Sequence, residues 1–161
     1  MIEEFAVANE KLSQALLGRA REFEFPDGRT LFRQGEFPNG LFLIREGEAS
    51  LFMLSPADRI IASFRAGPGC VLGLTAVVEL LPHTLSANVR RGTKVGFVEM
   101  EEFHCILADD PSLYPPLLSL LASEVVMAQA ALLESIADKA PHRLTYEETC
   151  SEAHWEFLAA S

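Results

Sequence analysis

Positive charge is scarce in this chain: 13 Lys and Arg face 23 Asp and Glu across 161 residues, a formal charge of −10. A surface of that sign repels phosphate backbones and anionic lipid, so neither direct DNA binding nor membrane association is expected. Cysteine is also sparse. Cys70, Cys105 and Cys150 are odd in number and far apart, which fits reduced thiols better than a disulfide framework. The N-terminal Met1-Ile2-Glu3-Glu4-Phe5 has no cationic stretch leading into an apolar run. No secretory or transit signal is therefore read, and the cytoplasm is the expected location. The most apolar stretch, Leu113 to Ile136, is interrupted by Pro115, Pro116, Glu124, Gln129 and Glu134 and reads as too polar to span a bilayer.

Catalytic constellations are missing as well. The chain has no Gly-x-Ser-x-Gly elbow, phosphate-binding loop, Cys-x-x-Cys pair or His-x-His pair, so no enzyme is expected. His83 and His104 lie far apart, and Cys150 with His154 supplies at most two ligands on one helical face. Two ligands do not make a metal site.

Apolar residues, by contrast, are plentiful. They make up 49 % of the chain against 22 % charged, enough for one domain to bury a core over residues 1–161. Phe5, Ala8, Leu12, Ala15 and Leu16 are spaced as a helix within residues 1–20. Short β-rich runs punctuated by turn residues then fill residues 21–100. Arg21 to Phe25 precedes Pro26-Asp27-Gly28, Thr30 to Arg33 ends at Gly35, and Leu41 to Glu46 ends at Gly47. Ala49 to Leu54, Arg59 to Phe64, Leu85 to Arg91 and Lys94 to Glu99 follow. Strands at this spacing predict an antiparallel roll or barrel.

Residues 101–140 return to helix: Glu101 to Asp109, then Pro111 to Lys139 with Asp110 as its cap. In the long helix, Leu118, Leu121, Val125, Ala128 and Leu132 alternate at three and four residues, the seam of a two-stranded coiled coil. Leu117, Leu120, Met127 and Leu133 widen the stripe. A helix with two apolar sides can pack one on its own domain and the other on a second copy, which predicts a homodimer. Pro141 ends the helix, and residues 141–161, with Trp155, form a short tail.

The run Phe32-Arg33-Gln34-Gly35-Glu36-Phe37-Pro38-Asn39-Gly40-Leu41-Phe42-Leu43-Ile44-Arg45-Glu46-Gly47-Glu48-Ala49 resembles the opening of cyclic-nucleotide-binding domains of the catabolite-activator superfamily. Asn39-Gly40 is a strong turn dipeptide beside a hydrophobic strand closed by Gly47. Pro68 to Val78 sits where that family carries its phosphate-binding cassette, and Leu85-Ser86-Ala87 sits at the cassette's closing strand. The resemblance covers roughly residues 20 to 140. It implies a mainly β fold, an antiparallel β-roll of jelly-roll type with an N-terminal helix and a long C-terminal dimerisation helix. It also implies a ligand site at Gly73, Leu74, Thr75, Ala76, Leu85, Ser86 and Ala87.

In the family, a glutamate and an arginine of the cassette hold the ribose hydroxyl and the cyclic phosphate; here those positions read Leu74 and Leu85. Losing two charge-assisted contacts costs roughly 3–6 kcal/mol, enough to turn micromolar binding into millimolar. A cyclic nucleotide is thus disfavoured unless His83, Arg90 or Arg91 turns inward to replace the arginine. His83, following Pro82, reads as a surface turn residue. With Leu74 and Leu85 in place, Val71, Leu72, Val77 and Val89 are expected to line an apolar pocket.

The functional expectation is a regulatory sensor module with a degenerate cassette. Only about twenty residues follow Lys139, with Glu147, Glu148, Glu152 and Glu156 among them, so no DNA-reading domain is expected and a protein partner is the expected route of action. A ligand-free scaffold and a haem or metal sensor using His83, His104 or a cysteine are the alternatives.

Overall fold

The computed structural model describes residues 3–139; the expected helix break at Pro141, the tail with Trp155 and the Cys150–His154 pair lie outside the described residues. Mainly β architecture with flanking helices is what the chain adopts, and the expected β-roll is present.

The N-terminal segment is less helical than its spacing predicts. A short strand, β1 (Glu3–Glu4), runs parallel to a later strand, and the helix α1 (Glu10–Leu17) begins only after Asn9, whose side chain accepts from the Leu12 amide at 2.8 Å. Phe5 and Ala8 therefore owe their apolar character to two different cores rather than to one helical face. Seven strands follow almost where the turn residues place them: β2 (Arg21–Phe25), β3 (Arg29–Phe32), β4 (Gly40–Glu46), β5 (Ala49–Leu54), β6 (Ile60–Ala66), β7 (Val71–Leu72) and, after the helix α2 (Leu74–Glu79), β8 (Ser86–Val89). The last strand, β9 (Thr93–Glu99), leads into α3 (Met100–Asp109).

Two sheets face each other. One has the order β1-β6-β5-β8-β3 and the other β2-β9-β4-β7; apart from the parallel β1–β6 edge, every pairing is antiparallel. Strand β4 explains why its sequence is apolar without a break. Leu41 and Leu43 point to the helices, and Ile44 points between the sheets, so both faces of the strand are covered. Between the sheets lie Phe32, Leu51, Phe64, Leu72, Ala87 and Val95. Beneath the helices a second core joins Leu12, Leu16, Val77, Val98, Phe103 and Ile106.

After α3, Asp110 accepts from the Ser112 amide at 3.1 Å and caps a single 3-10 turn, Pro111–Leu113. The long helix α4 (Tyr114–Lys139) begins after that turn, three residues later than its proline suggests. By length and hydropathy the stretch Pro111–Ala137 is apolar enough to cross a bilayer, with a mean hydropathy of 1.7 in its most apolar window. The polarity argument from sequence is corrected to that extent. Part of the apolar content has an evident use in the fold: Leu117, Leu120 and Ala131 are buried against the two cores.

Candidate functional site

The cassette begins at Gly73, which takes φ +83° as the residue before α2. A side chain there would be strained, and a Cβ would come within 3.0 Å of Cε1 of His83. The helix ends after Glu79 at Leu80, itself left-handed at φ 56°, which turns the chain sharply into the 81–85 loop. Two backbone bonds pin that loop to the turn after β3: Gly35 donates to the His83 carbonyl at 2.8 Å, and His83 donates to the Glu36 carbonyl at 2.9 Å. The loop is therefore held as a lid beside the cassette.

His83 is not the surface turn residue that its position after Pro82 suggests. It is only 6 % exposed and lies flat on Phe32 with ring centroids 3.8 Å apart. Burial pushes its pKa below the usual imidazole value, with the carboxylate of Glu36 opposing that shift in part. The ring is accordingly neutral at neutral pH. Arg90 and Arg91 are exposed, and Arg90 reaches Glu48 instead of the cassette.

The structure brings Gly73, Leu74, Thr75, Ala76 and Leu85 together around one cavity of about 40 Å³. Ser86 and Ala87 do not join them. Ser86 accepts from the Gln34 amide at 2.9 Å, and Ala87 fills the space between the sheets. The expected apolar lining of Val71, Leu72, Val77 and Val89 is also corrected, because all four are packed into the cores. The remaining walls come from elsewhere in the chain: Phe5, Phe32, Leu51, His83, Thr84 and Glu124. A space of this size holds roughly three waters and is far below the several hundred Å³ that a drug-sized ligand occupies.

Glu124 is the residue that sequence reasoning missed. It lies midway along α4, is 9 % exposed, and its Oε2 accepts a hydrogen bond from Thr75 Oγ1 at 2.9 Å. Its other carboxylate oxygen, Oε1, is buried without a hydrogen-bond partner. Burial raises its pKa to about 7, the Thr75 bond pulling the other way. No Lys or Arg lines the cavity, so no cation there pairs with the carboxylate once it ionises. A detectable signal existed: Leu117, Leu120, Glu124 and Ala131 share the three-and-four spacing of a buried stripe.

Only part of the predicted dimer seam lies on the open side of α4. Leu118 is 60 % and Val125 51 % exposed, whereas Leu121, Ala128 and Leu132 are half-buried. Leu133, expected with the stripe, is exposed too. Among the described residues no three His, Cys, Asp or Glu side chains come together as a metal site; His104 and Cys105 are exposed and Cys70 is buried.

Residues 22–110 match the model of the cyclic nucleotide-binding domain family. The catabolite activator protein of Thermus thermophilus is a similar solved structure: TM-score 0.64, 22 % identity, 77 % of this chain and 58 % of that one covered. Oxidised CprK in complex with o-chlorophenolacetic acid is another, with a TM-score of 0.66, 15 % identity, and 83 % of this chain and 54 % of that one covered. The N-terminal domain of a transcriptional regulator from Streptomyces coelicolor A3(2) has a TM-score of 0.57 and 22 % identity, covering 76 % and 85 % respectively. The chain thus spans little more than half the length of the first two. No curated protein matches the sequence.

Proposed function

Because the chain belongs to the cyclic nucleotide-binding domain family, we propose that residues 1–161 act as one regulatory sensor module whose cassette no longer serves a cyclic nucleotide. The observation that carries this reading is the Thr75–Glu124 hydrogen bond. It joins the cassette helix to α4 across the cavity, so whatever enters or leaves the cavity also acts on α4. A carboxylate now stands where a cyclic phosphate would approach, and Leu74 and Leu85 replace the two charged anchors of the resembling family. Since a buried anion opposes a second anion in a low-dielectric site, these substitutions act together against a phosphate.

Output passes through α4. Its open face, with Leu118 and Val125, meets the same face of a second copy in a two-stranded seam that Leu121, Ala128 and Leu132 complete. The module works in the cytoplasm through a protein partner and performs no chemistry of its own. One similar structure carries o-chlorophenolacetic acid, so a ligand other than a cyclic nucleotide is compatible with the fold.

Calorimetric titration with cyclic AMP and cyclic GMP to millimolar concentration, with light scattering on the same sample, tests both halves of the reading. A dimer that gives no saturable heat is expected. Micromolar binding of either nucleotide would overturn the degenerate cassette, and a monomer would overturn the seam. The small cavity favours a second reading, a ligand-free scaffold. That reading predicts no thermal stabilisation by any small molecule, since a ligand bound only by the folded state raises its stability.

A further inference from the structure

The cavity's polar inventory is one-sided. Glu124 offers Oε1, buried and unpartnered; Thr75 Oγ1 already donates to Oε2 and keeps acceptor capacity; a neutral His83 ring keeps one acceptor nitrogen. Phe5 and Phe32 supply aromatic wall, and no cationic side chain is present. Buried polar atoms without a partner are rare in folded proteins because their desolvation goes uncompensated. Hydrogen-bond donors and positive charge are what this site lacks. A carboxylate bordered by aromatic rings is the combination that attracts an ammonium group, through charge-assisted hydrogen bonds and through the ring quadrupole.

We propose that the cassette cavity binds a small organic cation, a protonated primary amine, whose N–H groups donate to Glu124 Oε1. The inference rests on the reading of this cavity as a ligand site and specifies its charge. Size agrees: a space for roughly three waters accepts the two or three heavy atoms of methylammonium or ethylammonium, the Glu124 carboxylate turning to bring its buried Oε1 to them. The ammonium would bridge α4 and the cassette by the same carboxylate that already ties Glu124 to Thr75. Around Glu124, the facing groups are the Thr75 hydroxyl on α2, the His83 ring on the loop and the Cys70 thiol, whose pKa is raised by burial and, to a smaller degree, by the field of Glu124. None of them carries a positive charge at pH 8.5, where the carboxylate is ionised and a primary amine is still protonated.

The test is thermal stability and calorimetry at pH 8.5 with methylammonium, ethylammonium and tetramethylammonium chlorides against sodium chloride at equal ionic strength. The wild-type protein, Glu124→Gln and Glu134→Gln are compared. Saturable stabilisation by the primary ammonium ions, absent with tetramethylammonium and roughly tenfold to a hundredfold weaker in Glu124→Gln, is expected. Glu134→Gln removes an exposed carboxylate of the same helix outside the cavity and should keep binding, which separates loss of the ligand contact from a general loss of negative charge on α4. A response undiminished in Glu124→Gln, or equal for tetramethylammonium, overturns the assignment. Saturable binding of o-chlorophenolacetate or cyclic AMP with no response to the primary amines overturns the cation while leaving a ligand site. No response to any of them overturns both.

Discussion

The imidazole of His83 lies on the ring of Phe32 at a centroid distance of 3.8 Å and an interplanar angle of 11°, and the same imidazole closes over Gly73. A loop residue thereby becomes structural on two sides, one from β3 and one from the cassette. Removing the ring should loosen both.

His83→Ala is expected to destabilise the protein by about 1–3 kcal/mol through the lost stack and the void it leaves. Gly73→Ala should cost about 1–2 kcal/mol for its positive φ, plus whatever the crowding of His83 adds. In a double-mutant cycle read by denaturant unfolding, the combined variant should cost less than the sum of the two. Strict additivity would show that only the backbone angle, and not the contact with His83, constrains Gly73.

Glu124 and His83 pull stability in opposite directions as the pH changes. The folded state holds the Glu124 proton up to about pH 7, against an ordinary value of 4.5. The folded protein therefore binds more protons than the unfolded chain between those values, and stability falls as pH rises through that window, by about 3 kcal/mol in all. His83 does the reverse. Its pKa is depressed from 6.5, so the unfolded chain binds more protons and stability falls as pH drops below 6.5. Glu124→Gln should abolish the alkaline loss and leave only the acidic one, and at pH 8 it should be more stable than the wild-type protein. Unfolding midpoints from pH 5 to 9 decide this; an unchanged alkaline slope in Glu124→Gln would place that proton elsewhere.

The two sides of α4 should separate cleanly under mutation. Leu120→Ala, on the buried side, is expected to cost about 2–5 kcal/mol of stability. Val125→Glu, on the open side, should leave the unfolding of a protomer nearly unchanged while shifting light scattering from dimer to monomer. A Val125→Glu protein that stays dimeric would remove the open face of α4 from the interface.

Restoring one anchor should not restore the family's ligand. Leu85 lines the same cavity as Glu124, so a guanidinium introduced by Leu85→Arg has a carboxylate partner at hand and should give no cyclic AMP binding by calorimetry. With Glu124→Gln added, the same arginine loses that partner, and with Leu74 still in place only weak, millimolar binding should become detectable. Binding by the single variant would show that Glu124 does not oppose the phosphate.

Most of the roll was legible because its strands end at residues with a single conformational meaning: Pro26-Asp27-Gly28, Gly35, Gly47 and Gly67-Pro68-Gly69. Helix periodicity misled at the N-terminus because Phe5 and Ala8 bury in different cores, and spacing alone does not record which core a residue enters. The cassette residues Gly73 to Ala76 and Leu85 were found by resemblance. His83 was misplaced because a residue after proline reads as surface until the Gly35 and Glu36 backbone bonds that draw it in are known. Glu124 was counted only as an interruption in an apolar helix. Its role depends on Thr75, 49 residues earlier in the chain, and no local pattern carries that pairing.

The cavity draws its walls from Phe5 in the first segment, from Phe32 and Leu51 of one sheet, from the cassette and its loop, and finally from Glu124. During synthesis it cannot exist until the ribosome has released most of α4, since its only acidic wall arrives last. A ligand that depends on Glu124 thus fastens strands that all precede α4 in the chain, rather than serving as a template for them.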